Sequence, residues 1–393
     1  MSCKCKCACS EGDSKAADKS KEVLDTVKEY YGKVLKKTSD LKTDACCTAK
    51  TRMAKSAKDA LAMVHDDVVS RYYGCGLIVP ECLEGMKILD LGSGAGQDCY
   101  VLSRLVGEEG HVTGIDMTDE QLEVARKYQQ YHADKFGFSK PNTDFVKGYI
   151  ESLGAAGLED NQFDLIVSNC VVNLSPDKRA VLTEACRVLK EGGEFFFGDV
   201  YADRDLPEEI RKHKVLWGEC IAGSLWWKDL YKIAEQVGFS RPRLFAASKI
   251  SVKNAELEAV LGHSKFVSVT YRLFKLPQTK ERVTEVVYNG GITDFEDSFK
   301  LDHEWTFKKG EAQVVSGEMA SILKTSRFAS KFTLTATDKL PTVAEVVMVD
   351  PFEYVARDTT ENGSKCCPDV KGQSSKCGSA AKVEGKGKCC GGK

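Results

Sequence analysis

The sequence predicts an α/β fold: an open, mostly parallel sheet with helices on both faces. Two observations carry this. Short apolar runs alternate with amphipathic stretches between residues 87 and 197, and a glycine loop joins the first run to the first helix. Lys87-Ile88-Leu89-Asp90-Leu91 reads as a buried strand ending in Gly92-Ser93-Gly94-Ala95-Gly96. Tyr100, Val101, Leu102 and Leu105 then form the apolar positions of a helix. His111-Val112-Thr113-Gly114-Ile115-Asp116 is a second strand ending in an acid. Residues 120–136 read as a helix, 145–150 as a third strand and 163–170 as a fourth. Residues 178–189 form a helix stopped by Gly192-Gly193, and 194–197 a fifth strand. Ligands of such sheets bind at the carboxyl ends of the strands.

Upstream, residues 1–20 are small, polar and cysteine-rich and read as a flexible arm. Val23, Val27, Tyr30 or Tyr31, and Val34 fall on one helical face, and residues 54–72 form a second amphipathic helix. Between them lies a polar stretch with the Cys46-Cys47 pair. From about Pro242 the pattern changes. Residues 266–273 alternate at period two, 283–288 and 305–308 are strand-like, and 316–329 are helical. The expected organisation is a disordered cysteine-rich arm (1–20), a Rossmann-like domain preceded by helices (21–241), a small α+β C-terminal domain (242–355) and a disordered Cys/Lys/Gly-rich tail (356–393).

Composition narrows the function. Lysine plus arginine number 56 and aspartate plus glutamate 58, so neither nucleic acid nor an anionic membrane is favoured as a partner. No apolar run approaches the roughly 20 residues of a membrane span. The first ten residues lack the apolar core of a secretory signal. The expected compartment is therefore the reducing cytosol, where 17 cysteines point to metal, metalloid or redox chemistry rather than structural disulfides. Cys3, Cys5, Cys7 and Cys9 crowd one end, and Cys366, Cys367, Cys377, Cys389 and Cys390 the other. Neither set has zinc-site spacing; both suit capture of thiophilic ions, with passive disorder as the alternative. The six histidines are scattered and suggest no metal site.

A strand ending in Asp90-x-Gly92-x-Gly94-x-Gly96 and opening a helix suits a nucleotide-type cofactor, because glycine lets the backbone turn sharply and approach a ligand closely. A plain tight turn has the same look. Asp116, 24 residues after Gly92, ends the next strand where a carboxylate can accept from a ribose diol. The dinucleotide pattern G-x-G-x-x-G fails, since Gln97 stands at its third glycine. Asp90-Leu91-Gly92-Ser93-Gly94 instead resembles motif I of class I S-adenosylmethionine-dependent methyltransferases, as do 163–169 and 187–193.

The resemblance then narrows. Arg71-Tyr72-Tyr73-Gly74-Cys75-Gly76-Leu77, His111 to Thr118, Val167-Ser168-Asn169-Cys170-Val171-Val172-Asn173-Leu174, His213 to Cys220 and Val287 to Thr293 are similar to the animal-type arsenite methyltransferase family, over about residues 22–350. The resemblance implies methyl transfer from S-adenosylmethionine to thiol-bound trivalent arsenic, in rounds giving mono-, di- and trimethylated products. It implies that Cys170 and Cys220 bind arsenic. Cys75 is then a third ligand or redox relay, and Cys46 a more distant redox partner, with a Cys46–Cys75 disulfide reset by thioredoxin or glutathione. Cys47 is an extra thiol beside the family's position. Soft arsenic selects thiolates over oxygen ligands. For S-adenosylmethionine the candidate residues are Tyr73, Asp90, Gly92, Gly94, Asp116, Met117, Ile150, Glu151 and Asn169. The bland alternatives stand beside these: Cys170 and Cys220 as small buried hydrophobes, and Met117 as a core methionine. Cys82, Cys99 and Cys186 read as structural. The rival functions are a methyltransferase acting on a small organic acceptor, and a non-enzymatic thiol-rich sequestration protein. A monomer is expected.

Overall fold

The computed structural model describes residues 11–34, 53–74, 76–252, 254–278, 281–344 and 346–361. Its centre is an eight-stranded sheet built from β1 (Lys87–Leu91), β2 (His111–Asp116), β3 (Thr143–Lys147), β4 (Phe163–Asn169), β5 (Leu189–Ala202), β6 (Leu225–Trp226), β7 (Arg243–Lys249) and β8 (Phe266–Phe274). The order is β3-β2-β1-β4-β5-β8-β7, with β6 paired beside β5. The strands from β3 to β5 are mutually parallel, and β8 runs antiparallel between β5 and β7.

The apolar runs are continuous because both faces are covered. Leu89 and Leu91 of β1 join Ile166, Phe195 and Phe197 in one core, under the helices Lys178–Val188 and Trp227–Val237. Ile88 faces the other way, with Leu165, Val167 and Phe196, under the helices Lys55–Leu61 and Gln97–Val106. The period of two thus feeds two cores at once. From β1 the strand order proceeds to β2 and β3 on one side and to β4 and β5 on the other, which makes the junction of β1 and β4 the sheet's switch point.

Several elements depart from the sequence reading. The third strand begins two residues before 145, because Asn142 O already accepts from Val112 N at 2.9 Å. The expected helix 120–136 breaks at Tyr128 into Asp119–Lys127 and Gln129–Phe136. The fifth strand runs to Ala202, since β8 pairs with it from Glu194 onward. That pairing also corrects the boundary at 242: β7 and β8 extend the main sheet rather than the C-terminal domain. The helix Glu11–Glu29 takes in half of the expected arm, in keeping with its Lys/Ala/Glu-rich composition. The helix Pro351–Glu361 takes in the start of the expected tail, with Phe352, Tyr354 and Val355 packed on the main core. The remaining cysteine-rich ends lie outside the described residues.

The C-terminal unit comprises β9 (Thr284–Tyr288), β10 (Ser298–Lys300), β11 (Thr306–Lys308), β12 (Ala312–Val315) and β13 (Phe332–Ala336), with the helix Gly317–Thr325. It closes over its own core of Trp305, Phe299, Phe307, Met319 and Phe332. Buried ion pairs join it to the main sheet. Arg272 of β8 pairs with Glu81 and, at 3.6 Å, with Glu194, which also pairs with Arg327. Arg243 of β7 meets Asp302 at 3.0 Å and Glu318 at 2.7 Å. Among the described residues no helix is long and apolar enough to cross a membrane.

Candidate active site

A cleft of about 1000 Å³, counting its part open to solvent, lies at the carboxyl ends of β1, β2 and β4. Its floor is the glycine loop. Gly92 and Gly94 both adopt positive φ, +74° and +51°, where a side chain is strained. A Cβ on Gly92 would lie 2.4 Å from a Val171 methyl, whereas one on Gly94 meets only open space. The first glycine therefore lets the loop seat against the segment after β4, and the second leaves room for a ligand.

Asp116, at the end of β2, accepts from Gly94 N at 3.0 Å and from Thr118 N at 2.8 Å. Each oxygen keeps a further lone pair for a hydroxyl. Burial pushes its carboxyl up, against those backbone donors. Asp90 is 3% exposed and accepts from Cys99 Sγ at 3.1 Å. Burial, and then the charge of Asp98, push its carboxyl up to about 8. Asp98 is pushed to about 6, mainly by burial, although Asn169 Nδ2 donates to it at 3.1 Å. These raised values mark carboxyls that lack a cation in their surroundings.

All nine residues proposed for the cofactor line this one cleft: Tyr73, Asp90, Gly92, Gly94, Asp116, Met117, Ile150, Glu151 and Asn169. Three buried atoms in its wall, Ser93 Oγ, Gln121 Oε1 and Glu151 Oε1, have no hydrogen-bond partner among the described residues. Together with two cation-seeking carboxyls they fit a cationic, hydroxyl-rich nucleoside such as S-adenosylmethionine.

Sequence reasoning missed part of the wall. Asp98 stood in plain view, as the acid in the first turn of the helix that the glycine loop opens. Leu24, Val27 and Tyr31 carried no such signal, for they come from the N-terminal helix and its π-helical end Tyr30–Val34, folded across the cleft. That end is tied down by Tyr30 OH donating to Glu219 Oε1 at 2.7 Å and Tyr31 OH donating to Gly218 O at 2.8 Å.

The same tie leads to the cysteines. Cys170 follows β4 directly, lines the cleft and donates its N–H to Gly198 O at 2.8 Å. Cys220 ends the turn after the helix Lys214–Gly218. Its Sγ donates to the carbonyl of Cys170 at 2.8 Å. Both are buried, and both sit at positive φ, +57° and +61°. Such strain in a non-glycine residue gathers at functional sites. Cys170 is disulfide-bonded, while Cys82, Cys99 and Cys186 are free thiols. Cys99 is a packed core residue whose thiol burial pushes far up, in keeping with a structural role. Cys46 and Cys75 lie outside the described residues.

A doubly wound sheet with a ligand cleft over its glycine loop defines a methyltransferase of the class I fold. The family described as a methyltransferase domain matches residues 83–238, and the arsenite methyltransferase C-terminal domain matches residues 280–381. The chain is 51% identical over 366 residues to the arsenite methyltransferase of Homo sapiens, covering 91% of this chain and 97% of that one. It is 49% identical over 312 residues to the arsenite methyltransferase of Aquipseudomonas alcaligenes, covering 78% and 89%. In three dimensions it matches the crystal structure of an arsenic(III) S-adenosylmethionine methyltransferase from Chlamydomonas reinhardtii, with a TM-score of 0.70 and 44% identity over 74% of this chain and 98% of that one. The chain belongs to the arsenite methyltransferase family. It is an enzyme that depends on S-adenosylmethionine, and the reading as a non-enzymatic sequestration protein falls.

Proposed function

We propose that this chain moves methyl groups to trivalent arsenic held by Cys170 and Cys220, with Cys75 as third ligand or relay and Cys46 as redox partner. The observation that carries the reading is the approach of Cys220 Sγ to within 2.8 Å of the Cys170 carbonyl, beside the cleft lined by Gly94, Asp116 and Met117. When bound, S-adenosylmethionine supplies a methyl group on a sulfonium. Asp116 would take its ribose, and Asp90 and Asp98 its cationic methionine portion. Thiolates suit the acceptor, since trivalent arsenic is soft. Arsenic bound by sulfur keeps a lone pair and carries no proton there, so the chain need provide no general base. Its task is alignment at near-attack distance.

The disulfide at Cys170 supports a role for an external thiol reductant, thioredoxin or two molecules of glutathione in kind. Two thiols of the reductant become a disulfide, and their two electrons and two protons return both protein sulfurs to thiols. Only then can Cys170 ligate arsenic. Return of methylated arsenic to the trivalent state would take two more electrons from protein thiols, forming the Cys46–Cys75 bridge in the same cycle. Mono-, di- and trimethylated products follow from repeated rounds, in the cytosol, on a monomer.

The test is incubation of reduced protein with arsenite, S-adenosylmethionine and a thioredoxin-type reductant, with arsenic species separated and detected by element. Methylated arsenic that vanishes in Cys170→Ser and Cys220→Ser supports the ligand assignment. Undiminished methylation in both variants would overturn it.

A further inference from the structure

Two cysteines 50 residues apart in sequence can act on one atom only if something sets the distance between their loops, and Asn173 occupies that place. It sits in the one-turn helix Val172–Leu174, three residues beyond Cys170, and is 1% exposed. Its Nδ2 donates to Val200 O at 2.6 Å and to Cys220 O at 3.3 Å. Its N–H donates to Asp199 Oδ2 at 2.9 Å, and its carbonyl accepts from Lys178 Nζ at 3.1 Å. The N–H, the carbonyl and the side-chain NH2 of this one residue thus join the Cys170 segment to its surroundings, and the NH2 reaches the Cys220 turn.

The partners are themselves held. Asp199 also accepts from Val200 N at 2.8 Å, and Lys178 donates to Ser175 O at 2.6 Å. The Lys178 ammonium lies 5.0 Å over the Trp217 ring, whose Nε1 donates to Leu174 O at 3.1 Å. The two turns touch through backbone: a Cβ on Gly223 would fall 1.9 Å from Asn173 O. Both cysteines are held at positive φ, a conformation that persists only where the surroundings over-determine it. The bond from Asn173 to the Cys220 carbonyl and the bond from Cys220 Sγ to the Cys170 carbonyl supply that determination, one from each side.

We propose that Asn173 is a positioning residue for arsenic: its side-chain amide fixes the Cys220 turn against the Cys170 segment, so that both sulfurs reach one atom. The inference rests on the reading of Cys170 and Cys220 as ligands. Asn173 touches no reacting atom, and its loss should therefore raise the KM for arsenite more than it lowers kcat, while cofactor affinity holds.

Two variants test it. Asn173→Asp keeps the shape and removes both Nδ2 donors; Asn173→Leu removes all side-chain polarity. Reduced wild type, both variants, Cys170→Ser and Cys220→Ser would be compared for S-adenosylmethionine Kd, arsenite KM and kcat, and Kd for phenylarsine oxide, a trivalent arsenical that binds tightly only across two thiols. The expected result is a cofactor Kd within twofold of wild type, an arsenite KM raised at least tenfold, and phenylarsine oxide binding weakened toward that of the serine variants. An unchanged arsenite KM in Asn173→Asp that binds cofactor normally overturns the proposal. So does a parallel loss of cofactor and arsenical binding, or loss of folding in both variants, since either means that the residue only stabilises the domain. If Cys170→Ser and Cys220→Ser themselves bind phenylarsine oxide and methylate arsenite like wild type, the ligand reading fails and the inference falls with it.

Discussion

Lowering the pH from 8 to 6 should weaken S-adenosylmethionine binding about fiftyfold, and Asp90 is the reason. Its carboxyl is 3% exposed at the end of the central strand β1. In the protein alone it holds its proton up to about 8, first because burial penalises the anion and then because Asp98 lies near. A bound cation favours the ionised form, so binding expels the proton. Two pH units below the folded value, ionising the group costs about 2.7 kcal/mol, a factor of about 100 against the fully ionised carboxylate and about 50 against the half-ionised group at pH 8. The sign follows from linkage: the complex holds fewer protons than the free protein, so affinity rises with pH up to about 8 and levels off above. Asp98, at about 6, adds a second bend at the acid end. Isothermal titration calorimetry at pH 6, 7 and 8, in two buffers of different ionisation enthalpy, measures both affinity and protons released. About one proton should leave per cofactor bound at pH 7. Asp90→Asn should bind more weakly at pH 8 but lose the slope between pH 7 and 8. An affinity constant within threefold across this range, with no buffer-dependent heat, would refute the reasoning.

Two further outcomes are expected. Gly92→Ala forces a methyl into Val171 at positive φ and should lower both thermal stability and cofactor affinity, whereas Gly94→Ala, whose methyl projects into open space, should cost the fold only about 1–2 kcal/mol and weaken cofactor binding tenfold or more; melting and binding curves of the pair separate the two roles. Arg272→Met leaves Glu81 buried without its cation and Glu194 with Arg327 alone, and should destabilise the protein by about 3–5 kcal/mol in urea unfolding, with a loss below about 1 kcal/mol counting against the buried network.

Much of the cofactor cleft was legible because its parts are local. The glycine loop, the acid ending β2 and the Asn169-Cys170 end of β4 each sit where a strand stops, and a strand's end can be read from its apolar run. Asp98 was equally readable and was passed over, as it lies one step past the loop inside a helix. Strand limits were less legible. Where β5 stops depends on β8, more than 60 residues downstream, and no local pattern near Gly193 announces that partner. The boundary at 242 erred for the same reason: period-two alternation says that residues 266–273 form a strand and is silent about which sheet they join.

The sequence by itself determined the alternation of strands and helices, the glycine turn, the acids at the strand ends and the supply of thiols, since these follow from side-chain periodicity and backbone preference within a few residues. Only the tertiary structure decided that the N-terminal helix crosses the cleft, that Arg272 of β8 meets Glu81 while Arg327 and Arg243 bind the C-terminal unit to the sheet, and that Asn173 joins the Cys220 turn to the Cys170 segment. Those arrangements bring together groups 47 to 191 residues apart in the chain, and they arise from packing the two cores against each other, which no window of sequence contains.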